Sequence, residues 1–281
     1  MSAWWLGIAA PKANQLPANN GMHKYVARMT EFYPRSRFLL LRAEIFWAHG
    51  ILRSIAAETQ KRWIVAIDGP AGAGKSTIAR AIAQRLGFTY IDSGAMYRAV
   101  ALWALRIGVD LDDLHRLEQL AKEARVEFAA GETTVLLNGE DVTAAIREPR
   151  VSEAASKVSL APGVRRAMRE EQRRIGATQS VVMEGRDIGT VVFPDAQVKI
   201  YLDAAPEVRA ERRATEIGGI AEEIAQEIAE RDHRDRTRTE APLTQAPDAE
   251  YLDTTRLSPA EVEEAILKLV RARTSNGKGH R

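Results

Sequence analysis

The stretch Gly69-Pro70-Ala71-Gly72-Ala73-Gly74-Lys75-Ser76 constrains this chain more than any other. It matches the spacing G-x-x-x-x-G-K-[ST] without a mismatch. Its glycines let the backbone wrap closely around a phosphate and turn N–H groups inward. Context supports the motif. Trp63–Asp68 before it is a short apolar run rich in β-branched residues and reads as a buried strand. Ser76–Leu86 after it carries Ile78, Ile82 and Leu86 at four-residue intervals, with Gly87 as a C-terminal stop, and reads as a helix. The loop therefore opens onto a helix N-terminus, whose free N–H groups and dipole favour an anion. Lys75 is expected to reach β- and γ-phosphates and the Ser76 hydroxyl to ligate Mg²⁺, with Thr77 completing the loop's end. This fixes a nucleoside triphosphate site and leaves the reaction open.

Further strands are expected at Phe88–Ile91, Val181–Met183, Val198–Leu202 and Tyr251–Asp253. Helices are expected at Ala95–Ile107, about 151–176, Glu207–Thr215, Ala221–Asp235 and from Ser258 to about Arg273, where Ser258-Pro259-Ala260-Glu261 forms a capping box. Such alternation predicts an α/β fold, a central parallel sheet flanked by helices. Residues 125–143 break the rhythm by alternating around Asn138-Gly139, which predicts antiparallel strands in a small inserted subdomain.

Residues 1–62 hold nine Lys/Arg against three Asp/Glu, and residues 63–281 hold 31 against 35, so the net charge of +2 comes from the leader. The leader reads as a poorly ordered N-terminal extension with one amphipathic helix at 37–58, able at most to associate weakly with a membrane surface. No apolar run is long enough to span a membrane. The main domain has no basic excess, so no nucleic-acid partner is expected. With no cysteine, a disulfide scaffold and thiolate chemistry are excluded, which fits a cytoplasmic protein. Residues 274–281 read as a mobile tail.

Three charged clusters point to phosphoryl transfer. Asp92-Ser93-Gly94-Ala95-Met96-Tyr97-Arg98 and Glu184-Gly185-Arg186-Asp187 lie at the ends of expected strands, where ligands bind in open α/β sheets. Arg231-Asp232-His233-Arg234-Asp235-Arg236-Thr237-Arg238 is dense in arginine, whose planar fork binds phosphate oxygens bidentately. Taken alone, that run would read as a solvated helix face. Beside a phosphate loop, the clusters suit the clamping of an acceptor phosphate and of the transferred phosphoryl group.

The segments IDGPAGAGKST (67–77), DSGAMYRAVA (92–101), NGEDVTAAIR (138–147), VSEAASKVS (151–159), EGRDIGTVVFPDAQVKIYLDA (184–204) and ERDHRDRTRTEAPL (230–243) together resemble bacterial cytidylate kinases, in family order from Ile64 to Ala272. The resemblance implies a P-loop kinase domain at 63–273, an acceptor-side insert at 118–151 and a lid at about 205–222 carrying Arg209, Arg212 and Arg213. It implies a monomer that phosphorylates CMP and dCMP with Mg²⁺ and ATP. ATP would be bound by Gly69, Pro70, Ala71, Gly72, Ala73, Gly74, Lys75, Ser76, Thr77 and Arg212. CMP would be bound by Ser93 and Arg98 on the phosphate side, by Ser156, Arg165, Arg186 and Asp187 around the base, and by Arg231 and Asp235. Lys75, Arg186, Arg231 and Arg238 would carry the catalytic charge, and Glu184 would join Ser76 at the metal. The base chemistry agrees, because cytosine offers an N4 amino donor to Asp187 where uracil presents a carbonyl. A uridylate kinase, a kinase of a non-nucleotide acceptor and a slow P-loop switch are the alternatives.

Overall fold

A computed structural model describes residues 62–128 and 134–276, with side chains to Arg273. The expectations for residues 1–61 and 277–281 lie outside the described residues.

The central sheet has five parallel strands, β1 (Ile64–Asp68), β2 (Thr89–Asp92), β6 (Val181–Gly185), β7 (Val198–Asp203) and β8 (Glu250–Asp253), in the order β2-β6-β1-β7-β8. β1 lies at the middle and is buried along its whole length, as a parallel strand covered on both faces must be. Its side chains alternate between two cores. Ile64 and Ala66 face Ile91, Val181 and Met183 in one. Val65 and Ile67 face Val182, Ile200 and Leu202 in the other. The second core is closed by α1 (Lys75–Leu86), through Ile78 and Ile82, and by α8 (Pro259–Asn276), through Val262 and Ile266. The capping box at Ser258 forms, with Glu261 accepting from the Ser258 N–H (2.8 Å) and hydroxyl (2.7 Å). The last helix continues to Asn276, past the expected end at Arg273.

The first core is closed by α2 (Ser93–Arg106), α3 (Leu114–Glu123), α4 (Pro149–Val158) and α5 (Pro162–Thr178). The helices expected at about 151–176 are two, α4 and α5. Pro162 opens α5, and the residue before a proline is driven out of the α region, as Ala161 shows with φ −70° and ψ 117°. The antiparallel insert consists of β3 (Val126–Phe128), β4 (Val135–Leu137) and β5 (Glu140–Asp141). Asn138 and Gly139, both at positive φ, form the two-residue turn between the last two. This small sheet has no core of its own. Val126, Val135 and Leu137 are buried in the same cluster as Ile91 and Met183. The remaining helices, α6 (Pro206–Ile217) and α7 (Ala221–Thr237), form a hairpin across Gly218-Gly219-Ile220. Among the described residues no helix is long and apolar enough to cross a membrane.

Strand register sets the site. Asp68, the residue before the loop, pairs with Gly185, and Asp92 pairs with Glu184. Three of the motif segments therefore leave the sheet side by side at its carboxyl edge, where β1 sits between strands reached by opposite turns of the chain.

Candidate active site

The phosphate loop follows β1 through Gly69, where a Cβ would stand 2.0 Å from the Leu202 carbonyl oxygen, so only glycine fits. It closes at Gly74 (φ 88°), the N-cap of α1, which has no side-chain cap. By contrast, α2 is capped by its own Asp92, which accepts from the Ala95 N–H at 3.0 Å. The N–H groups opening α1 thus stay available to an anion. Lys75 is buried, and its ammonium donates to the Pro70 carbonyl at 2.6 Å. Burial, then the charge of Arg186, push this ammonium down to about 7, while Glu184 pulls it the other way. A bound triphosphate restores the charge. Nucleotide binding at about pH 8 should therefore take up about one proton, read from calorimetric enthalpies in buffers of different ionisation enthalpy. Lys75→Gln should show none, and buffer-independent enthalpies in the parent would contradict the assignment.

Glu184, next to last in β6, is buried and accepts from the Tyr90 hydroxyl at 2.5 Å. The Ser76 side chain and Lys75 also face it. Burial, then the nearby Asp92 charge, raise its carboxyl above the usual range. Oxygen donors from Ser76 and Glu184 suit a hard cation such as Mg²⁺, which keeps water and substrate phosphates in its remaining positions. Among the described residues no group of three or more acidic, His or Cys side chains could hold a metal. The residues fit an ion carried in with the nucleotide.

The acceptor-side residues form one chain of charges. Asp187 holds the Arg165 guanidinium on one oxygen (2.7 Å) and the Arg238 guanidinium on the other (3.3 Å). Arg238 also reaches Asp235 (3.5 Å), which binds Arg186 at 2.8 Å. Burial opposes ionisation of Asp235, but Arg186 and then Arg231 hold its carboxyl below the usual range. Arg165 lies over the Tyr97 ring, 5.7 Å from its centre. Ser156 joins from α4, its hydroxyl accepting from Arg234 at 2.9 Å. Arg231 makes no hydrogen bond or ion pair among the described residues. Burial, and then Arg186, press its guanidinium down to about 10, with Arg98 and Arg213 adding like charge. A cation so placed calls for an anion.

Other expected residues lie differently. The Ser93 hydroxyl is buried and donates to the Glu184 carbonyl at 2.7 Å. Arg98 pairs with Asp92 at 2.6 Å. Arg212 donates to the Thr254 hydroxyl (2.9 Å) and carbonyl (2.7 Å), with its guanidinium beside Gly74. Arg213 pairs with Glu216 near the surface. Arg209, expected in the lid, is buried and bonded to Asp232 and to the loop itself.

The cytidylate kinase family profile matches residues 65–272, three quarters of the sequence and the whole of this site. The chain belongs to the cytidylate kinase family. It is 63% identical over 231 residues to a cytidylate kinase of Solibacter usitatus, covering 80% of this chain and 99% of that relative. A cytidylate kinase of Pelotomaculum thermopropionicum is 51% identical over 222 residues, covering 76% and 96%. One from Pasteurella multocida is 48% identical over 214 residues, covering 74% and 94%.

Within this cytidylate kinase fold, three buried carboxylate and phenol contacts escaped the sequence reading. Asp68 accepts the N–H groups of Ile188 (2.8 Å) and Gly189 (2.7 Å), capping the short π-helical turn at Ile188–Val192 that follows Arg186 and Asp187. Burial raises its carboxyl to about 6, against the pull of those two N–H groups. Tyr90 holds Glu184, and Asp232 holds the loop at Ala71. Asp68 adjoins the glycine motif and Asp232 sits inside the arginine run, so position is the signal that could have found them. Nothing local marked Tyr90.

Proposed function

We propose that this site transfers the terminal phosphoryl group of ATP to CMP or dCMP, giving ADP and CDP or dCDP. The chain is a phosphotransferase of a family that uses ATP as donor. The observation that carries the reading is the fixed Asp187 carboxylate, held between Arg165 and Arg238 a few residues from the phosphate loop's partner strand. Each of its oxygens keeps a lone pair free. Cytosine's N4 amino group can donate there, whereas uracil would set an acceptor against an acceptor.

In this reading Gly69–Thr77 wrap the donor phosphates, and Lys75 and Arg212 neutralise them. Ser76 and Glu184 would hold the Mg²⁺ that accompanies ATP and offsets charge between its phosphates. Arg98 and Ser93 take the acceptor monophosphate once Arg98 turns from Asp92. Ser156 and Arg165 shape the base pocket around Asp187, and Asp235 takes the sugar. Arg186, Arg231 and Arg238 stabilise charge on the phosphoryl group in flight. No strong general base is needed, since positioning and charge stabilisation dominate this chemistry. In this reading the enzyme works as a monomer on small molecules. The reading keeps it in the cytoplasm with its nucleotides.

Asp187→Asn tests the base reading. An amide can donate as well as accept, so the CMP-over-UMP ratio of kcat/KM should fall about ten- to a hundredfold, the worth of one charged hydrogen bond. Steady-state kinetics with both acceptors measures it. An unchanged ratio would place base recognition elsewhere.

A further inference from the structure

One residue of the phosphate loop is held at both of its main-chain groups by two buried side chains that the reaction does not use. Asp232 on α7 accepts the Ala71 N–H at 3.0 Å through one oxygen and the Arg209 guanidinium at 2.5 Å through the other. The same Arg209 nitrogen donates to the Ala71 carbonyl at 2.9 Å, and its Nε donates to the Ala204 carbonyl just ahead of α6 at 3.1 Å. Asp232 is 4% and Arg209 6% exposed. Contact continues at the next residue, where a Cβ on Gly72 would stand 2.7 Å from the Arg209 carbonyl oxygen.

This clamp joins the two halves of the site. Asp232 directly follows Arg231 and precedes Asp235 by one turn of the same helix, so its position fixes theirs. Ala71 lies within the loop that wraps the donor phosphates. We infer that Asp232 and Arg209 are positioning residues that couple ATP binding to CMP binding, registering α7 and its acceptor-side charges to the backbone of the phosphate loop. The inference rests on the reading of the two sites given above. A triphosphate fixes the loop's backbone, the loop fixes Asp232, and Asp232 fixes the helix that presents Arg231 and Asp235. The second substrate then meets a partly ordered site and binds more tightly. Thermodynamic linkage requires the effect to be equal in both directions.

Calorimetry with the non-hydrolysable β,γ-imido analogue of ATP, with and without CMP, tests the coupling. In the parent, each ligand should tighten the other by about fivefold or more. Asp232→Asn keeps one acceptor oxygen and loses the charge that holds both donors. Arg209→Lys keeps the charge and loses the fork that reaches Asp232 and Ala71 together. In either variant the tightening should fall below about twofold, while the affinity for each ligand alone stays within about threefold of the parent. A purely structural clamp would lower the melting temperature and leave the tightening intact, and that result in either folded variant would overturn the inference. Absence of tightening in the parent would overturn it without any variant. If the parent phosphorylates an acceptor other than CMP, the substrate reading fails, and the same titrations with that acceptor still decide the coupling.

Discussion

Lys75→Ala is expected to abolish practical turnover, lowering kcat by about 10²–10³-fold or more while the chain stays folded. The ammonium is buried beside Glu184 and Arg186, where burial has pushed it down to about 7, and a bound triphosphate would restore its charge. Among the described residues its ammonium donates to the Pro70 carbonyl within the same loop. Alanine removes a group poised for the β/γ-phosphates and touches none of the apolar residues that pack α1 on the sheet, Ile78, Ala79 and Ile82. Stopped-flow or coupled assays give the rate, and circular dichroism the fold. Near-parent turnover in a folded variant would remove Lys75 from the chemistry.

Arg231→Ala should be nearly as severe, by about 10²-fold or more in kcat, yet should leave the melting temperature unchanged or slightly raised. The opposite signs follow from its surroundings. Arg231 is half-buried and makes no hydrogen bond or ion pair among the described residues. Burial and then Arg186, with Arg98 and Arg213, press it down to about 10 against the pull of Asp235. Removing it relieves repulsion in the resting protein and deletes a positive charge at the acceptor phosphates. A surface arginine on a solvated helix face would change neither quantity. Scanning calorimetry alongside kinetics separates the two cases. Parent activity would return residues 231–238 to the role of an exposed charged run.

The legible parts of the fold were those set by short spans. Runs of three to six residues marked the five sheet strands, each within two residues of its place, and β1, β6 and β7 stood out because a strand buried on both faces is largely apolar. Asn138-Gly139 announced its hairpin through the positive φ that both positions require. Pro162 opens α5 and marks the break between the helices expected at about 151–176. The insert read as a separate subdomain because alternation reports which side of a strand is buried, and not what buries it. Val126, Val135 and Leu137 are covered by the main core.

Within the site, the loop and the clusters were visible as motifs, whereas their partners were not. Asp68 caps a turn 120 residues downstream, and Asp232 grips a loop residue 161 positions before it. No local pattern encodes contacts over such separations. Arg209 shows the cost of this most clearly. Its neighbours Arg212 and Arg213 share the same helix and charge, yet one turn of α6 places Arg209 inward against the loop and Arg213 outward beside Glu216. The sequence reading grouped all three because they fall in the lid region that the family resemblance implies.

The measurement that bears most directly on the assignment is ADP release by the full chain in the presence of ATP and Mg²⁺, with CMP, dCMP, UMP or AMP as the sole acceptor. The account predicts acceptor-dependent ADP release with CMP and dCMP, at a kcat/KM at least about tenfold above that for UMP and AMP, since uracil presents a carbonyl where Asp187 is set to accept an amino group and adenine carries its amino group on a larger purine. Preference for UMP or AMP, or release of ADP at the same rate with no acceptor present, would contradict it.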